Sequence, residues 1–101
     1  MKIKEGVIID GIKPPMLRAC AIVDEVFLKH TGHEATLTSG RDGKHSDKSL
    51  HYDGLADDYR TRDVPENILV LIYNEVRSKL PPPYEVIREE THMHIEYDLK
   101  G

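Results

Sequence analysis

Two short stretches carry the residues that could do chemistry. "SLHYDGLADD", residues 49–58, sets His51 and three aspartates around a glycine and a small alanine. "THMHIEYD", residues 91–98, sets His92, His94 and Glu96 two apart. Alternation in an extended strand puts those three on one face, about 7 Å apart at each step, with Met93, Ile95 and Tyr97 on the other. Two imidazoles on a strand face are by themselves ordinary polar residues. Paired with the loop, they offer a metal site. Hydrolytic zinc centres take three protein ligands from histidine and carboxylate and leave a fourth position for water. One histidine and one aspartate of the loop, with one histidine of the last strand, complete such a set. Gly54 permits a tight turn between the loop ligands, and Ala56 leaves room for a neighbouring element. Glu96 reads either as an outer carboxylate orienting an imidazole or as an exposed strand residue.

The remaining polar residues read as structural. If 56–60 is extended, Asp57 points away from Asp58, and Asp53 suits the turn before Gly54. His30 and His33 flank the end of a helix, where an imidazole meets the helix C-terminus favourably. His45 lies in the polar loop "GRDGKHSDKS". The single cysteine, Cys20, sits in the apolar run "ACAIVDEVF" as a small buried helix residue and excludes an intrachain disulfide. With no cysteine pair, a metal must use imidazole and carboxylate.

The elements that must position these residues follow from periodicity. "KIKEGVIID" is β-prone. "PPMLRACAIVDEVFLKHTG" reads as a helix, with Pro14 and Pro15 in its first turn and Gly32 past its end. Ala19, Ile22, Val23 and Val26 form its core stripe, widened by Phe27 and Leu28. "EATLTS" and "GLADDYR" read as strands around the polar loop. Asp63 with Glu66 resembles a capping box for the helix "ENILVLIYNEVRSKL". Leu69, Ile72, Val76 and Leu80 line one face of that helix, and the prolines at 81–83 stop it. "YEVIREETHMHIEYDL" reads as two strands broken near Glu89–Glu90. The order β-α-β-loop-β-α-β-β gives an α+β fold with a small, mainly antiparallel sheet and two main helices packed on it. At 101 residues the chain supports a single domain, 1–101, with one modest core. Its net charge of −4 argues against nucleic acid as a partner. No membrane span and no signal peptide is read from the sequence, so synthesis in the cytoplasm is expected, and a monomer.

The two stretches also carry a family resemblance. "SLHYDGLADD" resembles the S-x-H-x-x-G-x-A-x-D signature of zinc D-Ala-D-Ala carboxypeptidases and related peptidoglycan peptidases. "HMHIEY" resembles the H-x-H strand of the wider superfamily that includes lysostaphin-type endopeptidases and the hedgehog domain. The resemblance covers roughly residues 36–98 and implies zinc on His51, Asp58 and His94. It implies a catalytic role for His92, in assisting the attacking water or the charge on the tetrahedral intermediate. "TLTSGRDG" is similar to the family's T-S-G-x-R segment with one residue missing. By that match Arg41 contacts substrate and stabilises the oxyanion, and Ser49 matches a substrate-contacting serine. Some branches place a glutamate three residues before the last zinc histidine. Thr91 stands there before His94, whereas Glu89 stands three before His92, which leaves a second register with His92 as ligand and Glu89 as base.

The expected activity is that of a zinc metallopeptidase, a hydrolase cutting peptidoglycan stem peptides as a carboxypeptidase or endopeptidase. A leaderless enzyme of this kind fits a phage or prophage endolysin released to the cell wall by lysis, by analogy alone. The rivals are a non-catalytic metal-binding module of the same fold, and a metal-free protein whose acids and histidines are merely solvated.

Overall fold

The structure is a computed structural model, and it describes residues 1–42, 50, 51 and 53–99. Ser49 and His45 lie outside the described residues. The architecture is α+β: a five-stranded mixed sheet and two helices. The strands are β1 (Lys2–Ile3), β2 (Thr36–Ser39), β3 (Ala56–Arg60), β4 (Tyr84–Arg88) and β5 (His92–Tyr97). The helices are α1 (Pro14–Thr31) and α2 (Glu66–Lys79). The sheet order is β1-β2-β3-β5-β4. Among the described residues only the β1–β2 pair is parallel.

β5 frames the site, because both its neighbours are antiparallel and its register sets which residues face each other. Asp58 of β3 pairs with His94, and Ile87 of β4 lies across from His94 on the other side. Met93 and Ile95 are 1% and 0% exposed. Burying two such side chains contributes about 1.5–3 kcal/mol each, and a slip by one residue would put His94 into the core instead. The apolar face therefore fixes which face the imidazoles occupy.

The helices cover the apolar face. Met16, Ala19, Val23, Val26 and Phe27 of α1 are buried, as are Leu69, Ile72 and Val76 of α2. The expected ends of α1 are present, with prolines in the first turn and Gly32 closing the helix in the left-handed region at φ 76°. Leu80 closes α2 ahead of the proline run and is itself buried.

Three local expectations are corrected. The β-prone start forms only a two-residue strand. A turn from Lys4 to Val7 and the positive φ of Gly6 peel the rest into a loop. Leu28 is 50% exposed instead of widening the core stripe, since it lies about 140° around the helix from Val23. The capping box does not form: Pro65 occupies the cap of α2 with no side-chain hydrogen bond, and Glu66 pairs instead with Arg88 of β4. A further difference is that Cys20 is half-buried, with its thiol against Tyr59 and Asp57.

Candidate metal centre

β3 and β5 present their polar faces side by side, and a turn delivers His51 to them. Gly54 makes that turn possible. Its φ is 72°, and a Cβ there would stand 2.2 Å from the Gly11 carbonyl oxygen, so the chain crosses the N-terminal loop at a distance only glycine allows. The Gly54 carbonyl accepts the Lys13 N–H at 2.9 Å, and the Gly54 N–H returns to the His51 carbonyl at 3.1 Å. Ala56 is buried beside this turn.

One ligand atom from each of His51, Asp58 and His94 lies within 4.8 Å of the others. Asp58 is the hub: Oδ1 is 2.8 Å from His94 Nδ1 and Oδ2 is 3.6 Å from His51 Nε2. The side chains are 4%, 13% and 17% exposed for His51, Asp58 and His94, which leaves the cluster shielded yet reachable. Both imidazoles have outer partners. His51 donates its Nδ1–H to the Gly40 carbonyl at 2.8 Å, turning Nε2 toward Asp58. His94 donates Nε2–H to Glu96 Oε1 at 2.8 Å, turning Nδ1 toward Asp58. Such partners fix tautomer and ring orientation and raise basicity in metal-ligating histidines. The donor set of two imidazoles and one carboxylate fits zinc.

The electrostatics show a site built around one negative charge. Burial favours the neutral form of Asp58, but the hydrogen bonds from His51 and His94 outweigh it and hold the carboxyl well below the usual carboxylate range. Burial works against charge on His94, and the Asp58 and Glu96 carboxylates overcome it, raising its pKa to about 8. His51 is raised as well, its burial outweighed by Asp58.

The other sequence candidates are placed as follows. His92 lies at the rim, 34% exposed, with Nε2 3.8 Å from Asp58 Oδ1. Of the two strand histidines, it is His94 that joins His51 and Asp58 within ligand distance. Glu89 is exposed at the β4–β5 turn, where its N–H donates to the His92 carbonyl. Arg41 follows Gly40 directly; its guanidinium donates to the Asp10 carbonyl at 2.9 Å and lies over Gly11. Asp53 is an exposed turn residue. His30 meets Glu75 of α2 at 2.8 Å and links the two helices. Among the described residues no helix is long and apolar enough to cross a membrane.

Sequence reasoning missed two features. Asp57 faces away from Asp58 as expected, but it is fully buried. It accepts the Tyr59 hydroxyl at 3.0 Å, and its Oδ1 has no hydrogen-bond partner among the described residues. Burial raises its pKa to about 6, while the Cys20 thiol's own burial, with the Asp57 charge nearby, pushes that thiol up to about 12, far from a nucleophile's range. Alternation past Asp58 also puts Arg60 on the ligand face, paired across the strands with His92. Among the described residues Arg60 has no ion pair, and the "ADDYR" spacing was the signal that could have singled it out. No family model, no curated protein and no solved structure matches the chain.

Proposed function

We propose that the chain is a zinc-dependent peptidase of the D-Ala-D-Ala carboxypeptidase and hedgehog-like kind, acting on peptidoglycan stem peptides. The observation that carries this reading is the convergence of His51, Asp58 and His94 within 4.8 Å, each imidazole backed by its own acceptor. Those three residues would hold the ion, which when bound supplies Lewis acidity and water activation. Asp58 contributes a permanent charge that offsets part of the metal's. Glu96 and the Gly40 carbonyl keep His94 and His51 oriented, so that little reorganisation accompanies binding. His92, more exposed and on the same face, takes up a proton at Nε2 and returns one to the leaving amine. Glu89 fills that role in the other register, but its place at the exposed turn favours His92. Arg41 would contact substrate and stabilise the oxyanion by moving from the Asp10 carbonyl, and Ser49 would be a further substrate contact.

The test is incubation of zinc-loaded protein with purified muropeptides, followed by mass spectrometry of the products. Loss of a terminal D-alanine identifies a carboxypeptidase, and a cut within the stem or cross-bridge identifies an endopeptidase. His92→Ala should abolish either while leaving zinc bound. Intact muropeptides with stoichiometric zinc would instead favour a non-catalytic metal-binding module.

A further inference from the structure

The side chain built most closely into the support of His51 is one that no ligand pattern singles out. Asp42 Oδ1 accepts two backbone N–H groups, that of Ile8 at 2.9 Å and that of Gly40 at 2.8 Å. It thereby ties the N-terminal loop to the end of β2. The Ile8 carbonyl in turn accepts the Arg41 N–H at 2.8 Å. In a trans peptide the N–H and C=O point in opposite directions. Pinning the Arg41 N–H on Ile8 therefore aims the Gly40 carbonyl the other way, at His51 Nδ1, 2.8 Å off. The contact is close-packed as well: a Cβ on Gly40 would stand 2.5 Å from the Ile8 oxygen.

We propose that Asp42 is a positioning residue of the metal centre. By locking Ile8 to Gly40 it orients the Gly40–Arg41 peptide, so that His51 carries its proton on Nδ1 and presents Nε2 to the ion. The effect on metal binding rests on the zinc reading above. The control of the His51 tautomer does not, and it holds in the metal-free protein. An Asp42 that merely closed a turn would affect stability without touching either quantity.

Ring-nitrogen NMR on the metal-free protein, at a pH where His51 is neutral, reads the tautomer directly. Wild type should show the Nδ1–H form, and the Nε2–H form there would overturn the inference without any variant. Asp42→Ala should shift His51 toward a mixture of tautomers and weaken zinc binding about tenfold in chelator competition, the low end for loss of an outer partner. Asp42→Asn keeps the accepting oxygen and should retain wild-type tautomer and affinity. Asp42→Ala with unchanged tautomer and unchanged affinity would refute the proposal. If Asp42→Ala does not fold, Asp42→Ser, too short to reach both N–H groups, gives the same comparison. A wild type that binds no zinc defeats the metal reading, and the tautomer comparison then decides for or against Asp42 alone.

Discussion

Gly54→Ala should destabilise the protein by more than the conformational cost of a left-handed alanine. At φ 72° that cost is about 1–2 kcal/mol. The added Cβ would also fall 2.2 Å from the Gly11 carbonyl oxygen, so the N-terminal loop must move. That movement breaks the Lys13–Gly54 hydrogen bond of 2.9 Å, costing about 0.5–1.5 kcal/mol. Together these give about 2–3 kcal/mol, or a fall in Tm of about 10–20 °C for a domain of this size. Gly32→Ala is the matched control. Its φ is 76° but nothing lies within 4 Å of the added carbon, so only the conformational cost of about 1–2 kcal/mol remains. Thermal unfolding followed by circular dichroism measures both. Equal losses in the two variants would refute the claim that the chain crossing at Gly54 requires glycine for space. Because the same turn carries His51, Gly54→Ala should also weaken zinc binding, while Gly32→Ala should leave it unchanged.

Three further outcomes follow from the charges. Glu96→Ala removes the acceptor of His94 Nε2–H and should weaken zinc binding about 10–100-fold in chelator competition. In the metal-free protein His94 is raised from 6.5 to about 8. The stability it contributes is therefore full below its unfolded value and lost as pH rises through about 8, and a series of Tm values should lose that step in His94→Gln. Asp57 has the opposite balance. Its folded pKa is raised from 3.8 to about 6, so it holds its proton in the folded state after the unfolded chain has released it. Stability is then present below pH 3.8 and falls until about 6. Asp57→Asn should remove that fall and stabilise the protein at neutral pH by roughly 3 kcal/mol, measured by urea unfolding.

What was legible in the sequence was whatever a single period decides. The alternation in "THMHIEYD" separated Met93 and Ile95 from His92, His94 and Glu96, and burial follows that division. Pro14, Pro15 and Gly32 marked both ends of α1 because each acts on local backbone geometry. The misses depended on distant partners. Asp57 is buried beside Cys20, a residue 37 positions away on another element, and nothing local in "ADDYR" distinguishes it from a solvated acid. Asp42 read as one polar loop residue among several, since its role comes from Ile8, 34 positions away. The start of α2 failed for a local reason: Pro65 took the position that the Asp63 capping box needed.

His51, Asp58 and His94 should together hold one zinc ion. Equilibrium dialysis of the purified, chelator-stripped protein against zinc, read by elemental analysis, tests it most directly. One zinc per chain is expected in wild type, lost in Asp58→Ala and in His94→Ala and retained in His92→Ala. A wild type that stays metal-free while fully folded, or a zinc stoichiometry unchanged in Asp58→Ala, would contradict it.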